Sequence, residues 1–435
     1  MKKHFGTDGI RGQAYTELNA DLAFKIGFAL KVLNNPYVII GRDTRESGPM
    51  LAEGIKKGAK AAGINAIDVG VVSTPMLSYI SGRQRTLGVM ITASHNPYQD
   101  NGIKIFNSGR KLFAGEEEEI EAVLNDEVKV EQVQNFSFET HHLDPEELYL
   151  ELYRDLLIPT PMKIGLDLAN GATYEIGKIV FRQLTPYLSI ISADPDGKNI
   201  NDNCGSTHLE KLIALVREGN LELGFAFDGD GDRLMVVGED GKVFDGDHLL
   251  YAFAVYLFER NLLKGNTVVL TKMSNLGLVK ALKERGIKTV LTDIGDKYVL
   301  EALEENEYTL GGENSGHIIN LHLLNTGDGL LNASYLLKVL RETGKSLDEL
   351  TRDLVMYPDR TYNLRNVDKE LAKDEIVLNK VKEIKERLGD EGKVIVRPSG
   401  TEPLIRITVS APTQPEVDHS INEIVDTIIN IRRGI

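Results

Sequence analysis

Cysteine is almost absent from this sequence, because Cys204 is the only one in 435 residues. A single cysteine cannot form an intramolecular disulfide, so a reducing cytoplasm is the expected compartment. Long apolar runs are absent as well, since the longest, residues 249–258, is too short to span a bilayer. The N-terminal residues also lack the apolar core of a secretory signal. We therefore expect a cytoplasmic protein with no membrane partner.

An excess of positive charge is also missing. Lysine and arginine number 50 against 65 aspartate and glutamate residues, which gives a formal net charge of −15. Nucleic acids and anionic membranes bind basic surfaces, so we expect neither as the main partner. An anionic ligand must then be held by a few local cations. The apolar fraction of 42% is sufficient for a globular fold, and the length suggests about three or four domains.

One supersecondary pattern recurs three times along the chain: a strand, a polar loop, a helix and another strand. The first strands of the three repeats are residues 38–40, 163–166 and 267–270. This order requires parallel strands with helical crossovers, so it predicts three similar α/β domains.

The pattern changes beyond Pro358. A charged helix over residues 369–388 and a strand pair, 393–396 and 404–409, predict a smaller fourth α+β domain. The predicted domains are residues 1–143, 144–244, 245–357 and 358–435.

A serine loop, residues 92–97, follows the apolar run 87–91, which is typical of a buried strand. Ser94 therefore lies at the carboxyl end of a strand, where open α/β sheets bind ligands. His95 is its neighbour, but adjacent residues on an extended segment point to opposite faces. We therefore do not expect His95 to accept the Ser94 proton. A simple turn before Pro97 is the alternative interpretation.

The second signal is an acidic loop, residues 228–233, in which Asp228, Asp230 and Asp232 alternate with glycines before Arg233. Three clustered carboxylates repel one another unless a cation lies among them, and Mg²⁺ is the cation that fits best. An EF-hand is disfavoured, because Arg233 occupies the position that needs glycine and the flanking segments read as strands. An acidic surface turn without metal is the other alternative.

Two further loops carry polar side chains. Residues 311–317 place Glu313, Ser315 and His317 at alternate positions, where they could hydrogen-bond sugar hydroxyls, although an ordinary polar turn also fits. Residues 397–403 combine Arg397 with hydroxyls and free backbone N–H groups, a pattern that suits phosphate and also suits a structural turn.

Familiar nucleotide and hydrolase motifs do not fit. Gly344-Lys345-Ser346 resembles the end of a P-loop, but the first glycine of that motif would fall at Val339. The sequence has no G-x-S-x-G nucleophile elbow. A doubly wound dehydrogenase is disfavoured because no G-x-G-x-x-G follows the first strand. A non-catalytic metal-binding or carbohydrate-binding protein remains a rival to an enzyme.

We call residues 311–317 the sugar loop and residues 397–403 the phosphate loop. Together with the serine and acidic loops, they fall in four successive domains, and this pattern resembles the α-D-phosphohexomutase superfamily over essentially the whole chain. Within it, residues 5–12, 312–317 and 326–329 are most similar to the phosphoglucosamine mutase family. Lys297 stands where that family suggests arginine, and Leu209 where it suggests proline. The resemblance implies three α/β domains with mixed sheets and a smaller C-terminal α+β domain around a central cleft.

The implied reaction interconverts glucosamine 6-phosphate and glucosamine 1-phosphate, in UDP-N-acetylglucosamine synthesis, through a phosphoserine and a bisphosphorylated sugar. Phosphomannomutase/phosphoglucomutase activity on hexose phosphates is the alternative. The resemblance implies one Mg²⁺ per subunit and a sugar bisphosphate that activates the dephosphorylated enzyme. It also allows a homodimer.

The resemblance also assigns roles to residues. Ser94 would carry the phosphoryl group, and Lys104, the expected proton shuttle, would lie with Arg11 beside it; His95 joins these catalytic candidates. The expected metal ligands are Ser94, Asp228, Asp230 and Asp232. The expected substrate-binding residues are Arg233, Glu313, Ser315, His317, Arg397, Ser399, Gly400 and Thr401.

Overall fold

The computed structural model describes residues 3–6, 8–133, 143–399 and 404–433. The predicted phosphate-loop residues Gly400 and Thr401 lie outside the described residues. The chain divides into two compact units, residues 1–272 with 290–350, and residues 273–289 with 351–435. No helix within the described ranges is both long enough and apolar enough to cross a membrane.

The strands of the described residues, in chain order, are β1 (Phe5–Gly6), β2 (Gly9–Gln13), β3 (Tyr37–Arg42), β4 (Asn65–Val71), β5 (Leu87–Ile91), β6 (Asp100–Asn107), β7 (Arg110–Lys111), β8 (Ile164–Asp167), β9 (Leu188–Ile191), β10 (Leu223–Phe227), β11 (Leu234–Gly238), β12 (Val243–Phe244), β13 (Thr267–Thr271), β14 (Lys288–Thr292), β15 (Leu310–Gly312), β16 (Ile318–Asn320), β17 (Asp359–Arg365), β18 (Lys393–Pro398) and β19 (Leu404–Ser410).

The α-helices, in the same order, are α1 (Ala20–Ala29), α2 (Gly48–Ala61), α3 (Thr74–Gln84), α4 (Ala114–Leu124), α5 (Pro145–Leu150), α6 (Ile176–Leu184), α7 (Glu210–Gly219), α8 (Gly246–Glu259), α9 (Leu276–Glu284), α10 (Asp296–Glu305), α11 (Gly329–Thr343), α12 (Leu347–Leu350), α13 (Glu375–Leu388) and α14 (Gln414–Arg433).

The first sheet has the order β1-β2-β6-β5-β3-β4, and β7 pairs with β6. Strands β4, β3 and β5 run parallel, whereas β6 is antiparallel to β5 and to β2. Every residue of β5 is buried, which explains its continuous apolar sequence. The sheet is therefore mixed, and the serine loop follows its buried strand β5 as predicted.

The second sheet has the order β12-β11-β10-β8-β9. Strands β10, β8 and β9 are parallel, while β10 and β11 form an antiparallel pair in which Phe227 faces Leu234. The acidic loop is the connection between these two strands. Its flanks are strands, as predicted, and the EF-hand alternative is excluded because that site needs helices.

The third sheet has the order β14-β13-β15-β16. Strands β15 and β16 are antiparallel neighbours, and the predicted sugar loop connects them. The apolar run 249–258 belongs to α8, where almost every side chain is buried. Its apolar composition therefore reflects a helix packed inside the protein.

The second unit contains α9 and a separate antiparallel sheet of order β17-β19-β18. Helices α13 and α14 share an apolar core with this sheet, so the predicted α+β domain is confirmed. The predicted helix over residues 369–388 was wrong at its start. Residues 369–373 form a 3₁₀ turn, and the side chain of Asp374, whose backbone is extended, accepts a hydrogen bond from Ile376 N–H. A helix N-cap at Asp374 divides the two segments.

Candidate active site

Ser94 is buried, with 1% of its surface exposed, at the carboxyl end of β5. Its hydroxyl donates a hydrogen bond of 2.6 Å to Oδ2 of Asp228. Its backbone N–H donates to the Thr92 hydroxyl oxygen at 2.9 Å. Its φ is +53°, a left-handed conformation that is unfavourable for serine. The serine loop is thus held in direct contact with the acidic loop.

His95 corrects one inference from sequence. Its Nδ1 lies 3.3 Å from Ser94 Oγ, so the two side chains do meet. The inference assumed extended backbone, but the positive φ of Ser94 turns the chain and brings the ring back toward the hydroxyl. Burial, with Arg233 and Arg11 nearby, lowers the pKa of His95 to about 4, so its ring is neutral at neutral pH.

The three aspartates of the acidic loop are all buried. Each can offer one carboxylate oxygen such that the three atoms lie within 4.8 Å of one another. Among the described residues, Oδ1 of Asp230 and Oδ1 of Asp232 are buried without a hydrogen-bond partner. Buried carboxylate oxygens are normally satisfied, so this arrangement fits a hard divalent cation. The alternative of an acidic surface turn was wrong, because the loop is enclosed.

Electrostatic effects within the triad are uneven. Burial, together with the charges of Asp232 and Asp230, raises the pKa of Asp228 well above its usual range. Burial also acts to raise the pKa of Asp232, but Lys104 and His317 outweigh it and hold that pKa well below its usual range. Repulsion between the carboxylates is therefore only partly offset by protein cations.

Lys104 on β6 is 2% exposed and lies among three carboxylates. Its Nζ is 2.9 Å from Asp230 Oδ2, 3.5 Å from Asp232 Oδ2 and 3.1 Å from Asp8 Oδ2. Burial acts to lower the pKa of Lys104, but these carboxylates raise it well above its usual value. Lys104 is therefore positioned to neutralise part of the negative charge of these carboxylates. Its role as a proton shuttle stays a prediction.

Arg11 on β2 lies next to this group. Its Nη2 is 2.6 Å from Asp8 Oδ2, and its side chain is 31% exposed. The two predicted catalytic cations, Arg11 and Lys104, therefore share the carboxylate of Asp8. Burial acts to raise the pKa of Asp8, but Lys104, Lys111 and Arg11 outweigh it and hold that pKa well below its usual range.

Sequence reasoning missed a group of three residues beside Lys104. Lys111 Nζ lies 2.7 Å from Asp8 Oδ1 and 2.5 Å from Asp296 Oδ2, and it therefore links β7 to the start of α10. Asp8 lies in the segment 5–12 noted for its family resemblance, and Asp296 directly precedes Lys297, so the sequence held a signal close to both. Lys111 has no comparable signal, because its importance comes from contacts across the fold.

The predicted sugar loop is only partly open to a ligand. Glu313 and Ser315 are half-buried, and Glu313 Oε1 accepts a hydrogen bond of 3.1 Å from Gly295 N–H. His317 is 4% exposed, with Nδ1 3.6 Å from Asp232 Oδ2 and Nε2 3.4 Å from Asp296 Oδ2. His317 thus contacts a candidate metal ligand. Burial acts to lower the pKa of His317, but the two carboxylates outweigh it and raise that pKa to about 9.

Arg233 follows the acidic loop and remains beside it. Its Nε lies 3.9 Å from Asp228 Oδ2 and from Asp232 Oδ1, and its side chain is 22% exposed. Its backbone N–H donates to Asp228 Oδ1 at 3.2 Å. The guanidinium is therefore anchored near the aspartates and is still partly accessible.

The described part of the phosphate loop belongs to the second unit. Arg397 is exposed near the end of β18, and the backbone N–H of buried Ser399 donates to Leu404 carbonyl at 2.9 Å. The register of β18 and β19 places Arg406 directly opposite Arg397. Two arginines at directly opposite positions concentrate positive charge at this end of the sheet. Sequence reasoning missed Arg406, since strand register is needed to place it.

Models of all four domains of one family match the chain. The model of phosphoglucomutase/phosphomannomutase alpha/beta/alpha domain I matches residues 2–131, domain II residues 155–241, domain III residues 245–357 and the C-terminal domain residues 362–427. The chain belongs to the phosphoglucomutase/phosphomannomutase family. The fold class predicted from the four loops is thereby confirmed.

Relatives within this phosphohexomutase family are similar over their whole length. The phosphoglucosamine mutase of Halalkalibacterium halodurans is 43% identical over 440 residues, and that of Bacillus cytotoxicus is 43% identical over 441 residues. Each alignment covers 98% of this chain and 98% of the relative. The predicted similarity to phosphoglucosamine mutases is confirmed.

Solved structures of the family share the fold. A phosphoglucomutase/phosphomannomutase family protein of Burkholderia thailandensis has a TM-score of 0.81 at 24% identity, covering 99% of this chain and 98% of its own. The N-acetylphosphoglucosamine mutase of Aspergillus fumigatus, solved with GlcNAc-6P and magnesium, has a TM-score of 0.65 at 16% identity, covering 98% and 95%. At these identities the likeness concerns the fold alone.

Proposed function

We propose that the protein interconverts glucosamine 6-phosphate and glucosamine 1-phosphate through a phosphoserine at Ser94 and a bisphosphorylated sugar. The observation that carries this proposal is the contact between Ser94 Oγ and Asp228, within a buried triad that has unpartnered carboxylate oxygens. The similarity to phosphoglucosamine mutases supports the choice of sugar.

The proposed reaction has two phosphoryl transfers, one from Ser94 to the sugar phosphate and one from the bisphosphate back to Ser94. In the first, the free hydroxyl of the sugar phosphate attacks the phosphorus of phosphoserine 94, the P–O bond to Oγ breaks, and the proton of the sugar hydroxyl is finally regained by Oγ. The released Ser94 hydroxyl can then donate to Asp228, as it does in the structure. In the second, Oγ attacks the other phosphate of the bisphosphate, and the proton passes to the departing sugar oxygen.

The aspartate triad and one phosphoserine oxygen are the groups that would hold Mg²⁺. The bound cation would neutralise charge on the transferred phosphoryl group. Lys104 and Arg11 add protein cations beside the same group, while Asp8 orients both of them. His95, which is neutral and 3.3 Å from Oγ, is suited to orient the Ser94 hydroxyl through a hydrogen bond.

We assign the substrate contacts to the remaining loops. Glu313 and Ser315 would bind sugar hydroxyls, with His317 holding the loop toward Asp232 and Arg233 binding the sugar or its phosphoryl group. The phosphate that does not react would bind to the loop of Arg397 and Ser399. Gly400 and Thr401 belong to the same proposed loop, beside which Arg397 and the opposite Arg406 supply positive charge.

The wider setting is also proposed. The single cysteine supports a reducing cytoplasm, and the acidic balance supports a small phosphosugar as ligand in place of nucleic acid or membrane. A homodimer stays a prediction.

A coupled assay on one preparation tests the function. Glucosamine, glucose and mannose phosphates are compared with Mg²⁺, in the presence and absence of the matching sugar bisphosphate. We expect the highest kcat/KM for glucosamine phosphate and activation by bisphosphate. A preference for glucose or mannose phosphate would favour the phosphomannomutase/phosphoglucomutase alternative. Absence of turnover with every sugar would favour a non-catalytic binding protein.

A further inference from the structure

The carbonyl oxygens of the serine loop are held by two buried donors from distant parts of the chain. The Nη2 of Arg45 donates to Ser94 carbonyl at 3.2 Å and to Asn96 carbonyl at 2.6 Å. The Nδ2 of Asn201 donates to the same two carbonyls, at 2.9 Å and 3.1 Å. Each nitrogen carries two hydrogens, so each donor bridges both carbonyls. We call this pair of donors, Arg45 and Asn201, the carbonyl clamp.

Both donors are themselves fixed. Arg45 is 1% exposed, and it forms a salt bridge with Asp43, whose backbone N–H bonds to Ile91 at the end of β5. Asn201 is 7% exposed, and its backbone N–H donates to Ala169 carbonyl at 2.9 Å. Arg45 therefore lies in the loop between β3 and α2, beside the end of β5, and Asn201 lies in the connection between β9 and α7.

The acidic loop lies directly against the carbonyl clamp. A Cβ added at Gly229 would lie 2.5 Å from Ser94 carbonyl oxygen and 2.8 Å from Asn201 Nδ2. Both distances are too short for carbon, so glycine at this position allows the acidic loop to approach the clamped carbonyl. The clamp thus sets the distance between the serine loop and the metal ligands.

The left-handed φ of Ser94 is a conformation that the clamp can stabilise. Serine in this conformation is strained and persists only where surrounding contacts hold it. If the two carbonyls lost their donors, the loop would relax toward an extended backbone and carry Oγ away from Asp228. Strained residues at catalytic positions are typical of preorganised sites.

We propose that Arg45 and Asn201 are positioning residues, which hold Ser94 in its left-handed conformation and keep Oγ against Asp228 during both phosphoryl transfers. This inference rests on the proposed mutase function. Neither residue contacts the reacting atoms, because both act through the carbonyls of the serine loop.

Asn201→Gly tests the proposal with a matched control, Asn203→Gly. Both residues have left-handed φ, 57° and 50°, so glycine strains neither backbone. Asn203 is exposed, and within the described residues its side-chain amide donates only to the neighbouring Asp202, at 2.9 Å. The two variants therefore differ in the loss of the clamp. Arg45→Lys is the companion variant, since it keeps a cation for Asp43 but lacks the guanidinium fork.

We expect Asn201→Gly to lower kcat ~10-fold or more, because small displacements of a reacting group are costly. KM for the sugar phosphate should stay within about twofold, since the substrate-binding loops are untouched. Phosphorylation of Ser94 by sugar bisphosphate, followed by mass spectrometry, should slow by the same factor as kcat. Mg²⁺ affinity of the dephosphorylated protein should match that of Asn203→Gly.

Two results would overturn the proposal. One is a kcat for Asn201→Gly equal to that of Asn203→Gly. The other is a parallel loss of Mg²⁺ affinity and thermal stability with an unchanged rate per folded molecule, which would make the clamp merely structural. If Arg45→Lys does not fold, Asn201→Gly alone decides. Absence of turnover in wild type and Asn203→Gly would instead refute the mutase function itself.

Discussion

The Thr74 hydroxyl donates a hydrogen bond of 2.6 Å to Oδ2 of Asp230, and its backbone N–H donates to Asp230 carbonyl at 2.9 Å. Oδ2 also accepts from Lys104 Nζ at 2.9 Å, whereas Oδ1 is buried and has no partner in the part of the chain that the structure describes. The first residue of α3 thus orients a candidate metal ligand from a distant part of the sequence. Groups that orient a ligand in this way commonly tune metal affinity.

Thr74→Val should therefore weaken Mg²⁺ binding ~10-fold, since outer partners of metal ligands typically contribute that much. Titration calorimetry on the dephosphorylated protein measures the change. Thr173→Val is the matched control, because Thr173 is also buried beside the acidic loop, at Gly231, and its hydroxyl has no hydrogen-bond partner within the described ranges. Equal Mg²⁺ affinities in the two variants would contradict the prediction.

Ser94→Ala should nearly abolish mutase turnover while leaving Mg²⁺ binding partly intact. Alanine cannot carry a phosphoryl group, but the three aspartates remain. Incubation of wild type with sugar bisphosphate should place one phosphate on Ser94 by peptide mass spectrometry, and phosphorylated protein should bind Mg²⁺ more tightly. Ser206→Ala is the control, because it removes a buried hydroxyl that has no partner among the residues the structure describes. Phosphate on another residue would refute the mechanism.

Arg397→Ala should raise KM for the sugar phosphate and change kcat much less. The proposed contact is with the phosphate that does not react, which the ground and transition states share. Steady-state kinetics separate the two parameters. The expected rise in KM is ~10-fold or more, as for the loss of a charge-assisted hydrogen bond. An unchanged KM would show that this loop does not bind substrate.

Asp328→Asn should alter how stability depends on pH. Asp328 caps α11 and accepts a hydrogen bond from Tyr149 at 2.5 Å, and burial raises its pKa to about 6. The folded state therefore binds this proton more tightly than the unfolded state does. The contribution to stability grows as pH falls from about 6 toward 4, and it is lost as pH rises through about 6.

Thermal unfolding at pH 5 and at pH 7.5 measures this effect. Relative to the variant, wild type should gain about 1.4 kcal/mol of stability at pH 5 compared with pH 7.5, because pH 5 lies about one unit below the folded-state pKa of Asp328. Asparagine preserves the N-cap acceptor, and Asp374→Asn at the start of α13 controls for a carboxylate lost at a helix cap. A constant difference between wild type and Asp328→Asn at both pH values would contradict the prediction.

The sequence alone placed the two central loops correctly. The apolar run before Ser94 is a fully buried strand, and the aspartate triad lies between paired strands. These features are local, because strand burial follows from uninterrupted apolar residues and alternating glycines permit a tight acidic turn. Their chemistry was equally local, since three carboxylates at alternate positions repel one another unless a cation binds among them.

Only the tertiary structure decided how these loops meet. The contact of His95 with Ser94 depends on a left-handed serine, which Arg45 and Asn201 hold from positions 49 and 107 residues away. Lys111 joins Asp8 and Asp296, 103 and 185 residues distant, and nothing local marks it. Side-chain periodicity and turn composition describe neighbours in sequence. Backbone strain at one residue and ion pairs between distant segments are set by tertiary packing, so they could be identified only in the folded chain.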